Sequence, residues 1–252
     1  MLDSVIIVTA AALGLVIGSF LNVVIARLPE RRSLLWPASS CPGCGAAIAW
    51  RDNIPVVSYL ALRGRCRACA MAIPARYVVV EVATAALFVG AYVAFGPTLD
   101  ALVAAVFLSA LLAVTVIDLE RQIIPDAITL PGILAGVVAN LATGRVPMRD
   151  CVVGILLGGG LFFVIILASR GGMGGGDMKL GAMLGAFLGW KILLLAVFVA
   201  VLLGGIVAVV LMALGRRGRK DAIPFGPFLA AGGAAGMLWG EGVVQWYVSA
   251  LL

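Results

Sequence analysis

The stretch GGMGGGDMKLGAMLGAFLGWKILLLAVFVAVLL, residues 171–203, decides how the chain folds. It opens on five glycines and an aspartate, then stays apolar as far as residue 214. One membrane crossing needs about 20 apolar residues. The run is too long for one crossing, so it must break. Gly189-Trp190-Lys191 is the predicted break, giving helices over 178–190 and 191–214. A charge at membrane depth costs roughly 2.5 to 3.5 kcal/mol on insertion scales. Asp177, at the head of the first helix, therefore needs a reason to be there.

Further apolar stretches fall at 4–26, 76–95, 98–117, 124–142, 150–169 and 224–250. The chain is 63% hydrophobic and 12% charged, where soluble domains carry about 25% charge. The fold class is all-α and polytopic, with about eight transmembrane helices. Residues 4–26 are too long for a signal-peptide core, and basic residues follow them, so they read as a retained first span. With the N-terminus outside, all 18 basic residues except Arg145, Arg149 and Lys191 fall in cytoplasmic segments, as the positive-inside rule requires. Attraction to anionic lipid accounts for the net charge of +6 and no nucleic-acid partner is called for.

Three regions follow: a first helix over 1–27, a polar cytoplasmic segment over 28–75, and a membrane core over 76–252. The polar segment carries CPGC (41–44) and CRAC (66–69). Two CxxC knuckles about 20 residues apart are a zinc signature. Cys41, Cys44, Cys66 and Cys69 would close a tetrahedral shell that leaves no open position for substrate. Its expected role is to staple a domain too small for its own core. Two disulfides or a redox CxxC are the alternatives, and a reducing cytoplasm disfavours the disulfides. Cys151 has no evident partner and reads as a small apolar packing residue.

The chain contains no histidine. That excludes Ser-His-Asp and Cys-His catalysis and the HExxH metal site. Of the 12 acids, Asp3, Glu30, Asp52, Asp100, Asp150 and Asp221 read as surface charges, and Glu241 lies within the last segment. Glu81, one turn into its helix, could face a polar cleft. In VIDLERQIIPDAITLP (116–131), Asp118 ends one segment, and Asp126 follows Pro125 and can cap the next. Topology sets Asp118 and Asp177 at one depth on separate helices. Two carboxylates within hydrogen-bond reach share a proton; one activates a water while the other polarises a peptide carbonyl. The alternative is that they cap helices or pair with Arg121 and Lys179. A further alternative is a transporter or channel with Asp177 as a cation site. The glycines fit neither a dinucleotide fingerprint nor a P-loop; they suggest adaptable backbone beside a wet cleft.

At these residues the sequence resembles the type IV prepilin peptidases, bifunctional leader peptidases and N-methyltransferases of type IV pilus and type II secretion systems. The resemblance spans nearly the whole chain. It is carried by GSFLNVVIARLP (18–29), the cysteine segment (41–73), RYVVVEVATA (76–85), IDLERQIIPDAITLP (117–131) and GMGGGDMKLGAMLGAFLGW (172–190). It implies that Asp118 and Asp177 are the catalytic pair, with Gly174 and Gly176 supplying the GxGD motif of intramembrane aspartic proteases. It implies cleavage of a basic leader from a prepilin or pseudopilin at the cytoplasmic face of the bacterial inner membrane. The substrate's apolar helix would lie in the bilayer. Methylation of the new N-terminus from S-adenosylmethionine would follow. Asp126, Lys179 and Glu81 are expected to support the site, with Glu81 matching a family position by analogy only.

Overall fold

The computed structural model of the protein describes residues 2–168, 173–215 and 223–251. Arg170, Gly171, Gly172, Arg216, Arg217, Arg219, Lys220 and Asp221 lie outside them. The described residues form helices joined by turns, with two isolated bridges and no extended strand. They divide into two compact units, Met1–Ala105 and Val106–Leu252, with the boundary inside one helix.

In the first unit, α1 (Leu2–Arg27) packs on α3 (Arg76–Phe95), while a short α2 (Val57–Ala61) lies in the polar segment between them. The α1–α3 seam is close: a Cβ on Gly14 or Gly18 would lie 2.6 Å from the Cα of Ala85 or Glu81. Small residues permit such backbone approach inside a bilayer, where helices cannot gain from hydrophobic burial against lipid. Asn22 ties the seam by donating from Nδ2 to the Tyr77 carbonyl at 3.0 Å.

The second unit holds the end of α4 (Leu99–Arg121), then α5 (Asp126–Thr143), α6 (Met148–Ala168), α7 (Gly175–Ala213) and α8 (Gly226–Leu251). Six helices, α1 and α3 to α7, are long and apolar enough to cross a membrane. α7 runs 39 residues but breaks at Gly189, whose φ of 70° and ψ of 170° leave the helix. A left-handed φ favours glycine, so the break falls where the sequence predicted it. With the two arms of α7 and the 26-residue α8, eight long helical segments are present among the described residues. α8 is not among those six, and glycines and Glu241 interrupt its apolar sequence.

The break frees backbone carbonyls, and an unpaired carbonyl inside a membrane is expensive. Asn140 of α5 donates from Nδ2 to the Ala186 carbonyl at 2.8 Å, and the Cys151 thiol of α6 donates to the same oxygen at 3.3 Å. Cys151 is thus buried as expected, but it has a partner. α6 and the first arm of α7 meet through Gly154 and Gly158 against Gly185 and Gly181, where any Cβ would strike the opposing backbone. This seam fixes the arm that carries Asp177 one turn beyond Gly181.

Candidate active site and metal centre

Asp118 lies in the last turn of α4 and is buried. Glu120 and Arg121, which the sequence reads as the turn after it, are still helical. A carboxylate opposes the dipole of its own helix at that end, so Asp118 does not cap α4. The compensating group comes from the head of another helix. The Gly226 amide, first residue of α8, donates to Asp118 Oδ2 at 3.0 Å. A Cβ on Gly226 would sit 2.6 Å from that oxygen, so glycine is the residue that lets α8 come this close.

Asp177 is the third residue of α7 and is also buried. Its Oδ1 has no hydrogen-bond partner among the described residues. Gly176, next to Asp177, and Gly226, which bonds Asp118, both pack on Ile124, so the two predicted carboxylates lie on helix ends that meet at one residue. The helix begins at Gly175, earlier than expected, and Gly174 precedes it in an extended conformation open to any residue. Only Gly176 is demanded by packing: its Cβ would lie 2.8 Å from the Cβ of Ile124. The Ile124 side chain also reaches Gly226, 3.1 Å from where its Cβ would be. Ile124 is therefore a wedge between the heads of α7 and α8.

Asp126 was expected to cap α5. The cap is Pro125, with no side-chain bond, and Asp126 instead pairs with Lys179, whose Nζ lies 2.7 Å from both carboxylate oxygens. Lys179 thereby joins the heads of α5 and α7. Gly226 and Ile124 escaped the sequence reading. The available signal was Gly226 between Pro224-Phe225 and Pro227 at the start of the last span, since proline favours a first helical turn.

In the first unit, Glu81 is buried and accepts the Val56 amide at Oε2, 2.8 Å away. Val56 has a φ of 62°, a costly conformation for a β-branched residue. Glu81 thus holds a strained turn in the polar segment.

The four cysteines meet, with their sulfur atoms all within 4.8 Å of one another. The two knuckles share one backbone plan. The amides of Gly45 and Ala70, each four residues past the first cysteine and each left-handed, bond to the carbonyls of Cys41 and Cys66. Bridges Ser40–Ala47 and Arg65–Ala72 close the two loops in the same register. A Cβ on Gly43 would lie 2.5 Å from the Met71 sulfur, so the knuckles interlock there. Arg67 clamps the second knuckle to the Trp50–Asp52 turn, its Nε and Nη2 reaching the Asp52 carboxylate at 2.9 and 2.6 Å. The Arg67 hydrogen bonds hold the Asp52 carboxyl below the usual carboxylate range.

All four thiols are free. The amides of Cys44 and Gly43 bring the Cys41 thiol down to about 6. At Cys69 the Met71 amide acts in the same sense, but desolvation and the three neighbouring sulfurs outweigh it and push the thiol up to about 11. Such crowding suits a cation. A tetrahedral site with metal–sulfur bonds of about 2.3 Å has sulfurs about 3.8 Å apart, and Cys41 Sγ lies 3.7 Å from Cys69 Sγ. The cluster can hold a metal ion.

A helical membrane chain with two buried aspartates at helix ends that share one wedge residue is an arrangement expected of a membrane aspartic peptidase. The family comparison agrees. Residues 12–95 match the bacterial peptidase A24 N-terminal domain, and residues 105–209 match the type IV leader peptidase family. A prepilin leader peptidase/N-methyltransferase of Aeromonas salmonicida is 39% identical, the match covering 95% of this chain and 92% of that protein. One of Burkholderia pseudomallei is 41% identical over 92% of this chain and 84% of its own. One of Pseudomonas aeruginosa is 38% identical over 94% and 91%. The chain belongs to the type IV leader peptidase family. No solved structure matches it. The transporter alternative finds no support among these relatives.

Proposed function

We propose that the protein is an aspartic endopeptidase of the bacterial inner membrane that removes the basic leader from type IV prepilins and pseudopilins. Asp118 and Asp177 are its catalytic pair. The observation that supports this reading is the burial of both carboxylates at helix ends that share the Ile124 wedge, with Asp177 Oδ1 left unpartnered among the described residues. One carboxylate, ionised, takes a proton from water as the oxygen attacks the scissile carbonyl carbon. The other, protonated, donates to the carbonyl oxygen. The tetrahedral intermediate then collapses, the C–N bond breaks, and the departing amine takes up a proton. Gly226 orients Asp118, Gly176 lets the head of α7 close on Ile124, and the Gly174 carbonyl accepts the Asp177 amide.

The basic residues of the polar segment put it, and the heads of α5 and α7, at the cytoplasmic face, leaving the N-terminus periplasmic. Residues 28–75 form a zinc-binding domain, residues 1–27 a membrane anchor and residues 76–252 the peptidase core. Cys41, Cys44, Cys66 and Cys69 would hold the zinc, which closes the fold of the segment when bound. Glu81, Asp126 and Lys179 support the arrangement without touching the scissile bond. The second reaction, N-methylation of the new N-terminus, uses S-adenosylmethionine as co-substrate.

Asp118→Asn and Asp177→Asn keep side-chain shape and remove the proton chemistry. Each should lower prepilin cleavage by at least about 10³-fold with unchanged thermal unfolding in detergent. Full cleavage by either variant would overturn the assignment. Mass analysis of product N-termini, with and without methyl donor, tests the methylation.

A further inference from the structure

The polar segment of the first unit carries an apolar face. Along WRDNIPVVSYLALR (50–63), Trp50, Ile54, Val57 and Leu60 are exposed at 82%, 41%, 59% and 68%. Within α2, Val57, Leu60 and the exposed Ala61 share one side of the helix, as positions i, i+3 and i+4 do. Ser58 takes another side. It is buried, and its hydroxyl accepts the Ile54 amide and donates to the Arg51 carbonyl, both at 2.9 Å. The polar groups of this loop turn inward, and its apolar side chains turn out.

Glu81 fixes the depth of the face. The Val56 amide, one residue before α2, donates to Glu81 Oε2 at 2.8 Å. Arg76 opens α3, and Glu81 follows it by about 7.5 Å along the axis. Helical side chains lean back toward the N-terminus. The head of α2 therefore sits level with the first turns of α3, not above them. At that level the Arg76 guanidinium lies 5.2 Å from the Tyr77 ring centroid, and the Tyr77 carbonyl accepts Asn22 of α1. Tyrosine and arginine at the end of a span belong to the headgroup layer. An apolar face held at headgroup depth beside two spans meets lipid, not bulk water.

The charges around it select the lipid. Residues 28–75 contain six arginines and two acids. Both acids are paired, Glu30 with Arg32 and Asp52 with Arg67. Arg51 and Arg63 stand exposed at the two ends of the face. Anionic headgroups supply their counter-charge, and arginine stems lie along apolar surface while the head stays among phosphates. A basic peptide would be repelled here.

We propose that Trp50, Ile54, Val57 and Leu60 form an interfacial anchor that seats the polar segment on anionic lipid, with Arg51 and Arg63 meeting the phosphates. The seat extends to the cysteine cluster, because Arg67 clamps the Trp50–Asp52 turn to the second knuckle. The bilayer surface becomes a support for that cluster, beside α1 and α3.

The test uses the full-length protein in nanodiscs of phosphatidylcholine, with and without phosphatidylglycerol. A photo-reactive benzoylphenylalanine at Leu60 should give phospholipid adducts, read by mass, about fivefold above the same probe at Ala68, an exposed residue of the second knuckle. In the anionic discs, trypsin should cut after Arg51 and Arg63 about tenfold faster in Val57→Asp/Leu60→Asp than in wild type. Both residues are exposed, so the variant should melt with wild type. In neutral discs the gap should shrink to about threefold as the arginines lose their counter-charge. Leu60 adducts no more abundant than those at Ala68 overturn the anchor, whether or not the double variant folds. Equal cutting of variant and wild type overturns it too. A gap undiminished in neutral discs overturns the choice of anionic lipid. Cross-linking of Leu60 to added prepilin or to a second copy of the chain, in place of lipid, gives the face another partner and overturns the proposal.

Discussion

Gly226→Ala adds one methyl group at the point where α8 meets Asp118. The new carbon would lie 2.6 Å from Asp118 Oδ2, 3.1 Å from its Cγ and 3.1 Å from the Ile124 side chain. Ordinary contact begins near 3.4 Å, so the carboxylate and the head of α8 must separate by most of an ångström. The 3.0 Å hydrogen bond from the Gly226 amide stretches beyond use. A misplacement of about 1 Å can cost a catalytic site about 10²-fold, close to 2.7 kcal/mol at 1.36 kcal/mol per factor of ten. The helix itself should not suffer, because alanine is a better helix former than glycine by about 1 kcal/mol. The assay is kcat/KM for prepilin cleavage by purified protein in detergent, paired with thermal unfolding of the same sample. A hundredfold loss of kcat/KM at an unchanged melting temperature is expected. Activity within threefold of wild type would refute the claim that Gly226 positions Asp118.

Asn140→Leu leaves the Ala186 carbonyl with the Cys151 thiol alone. Losing the stronger of the two hydrogen bonds costs about 0.5 to 1.5 kcal/mol, so melting should fall by about 2 to 4 °C per kcal/mol, as scanning fluorimetry in detergent would read. Metal analysis should find about one zinc per chain, lost in Cys41→Ser/Cys44→Ser, with cleavage declining no faster than folded protein is lost. Lys179→Met and Asp126→Asn should each cost less than about 1 kcal/mol, because their pair is part-exposed. The double variant should cost no more than the larger single change, as a thermodynamic cycle in detergent would show.

The parts legible in the sequence are those set by local chemistry. The cysteine cluster was readable because thiolate ligands demand fixed short spacings, and the structure gathers all four. The α7 break was readable because a glycine, an aromatic ring and a charge interrupt an apolar run of double length. The two aspartates stood out because nothing local excuses a carboxylate at that depth. What escaped is carried by long-range contacts. The Gly226–Asp118 bond joins residues 108 positions apart, and a glycine gives no sign of which side chain it makes room for. Asp126 had the position of a cap, but a cation 53 residues away outcompeted the backbone amides. Cys151 looked partnerless because the carbonyl it serves exists only once α7 has broken.

The first arm of α7, residues 175–188, is about 21 Å long, against a hydrocarbon layer of about 30 Å. Trp190 and Lys191 follow the break, with the ammonium group 5.6 Å from the ring centroid, and such residues settle at the interface. With one end moored there, the Asp177 end stops short of the opposite surface. The mismatch is relieved where the bilayer thins or water dips inward over the arm. If Asp177 is catalytic as proposed, water would reach the peptide bond through a shortened helix instead of a channel. Turnover should then depend on acyl-chain length, fastest in thin membranes and falling as thicker lipid closes over Asp177, which cleavage assays in vesicles of graded chain length would read.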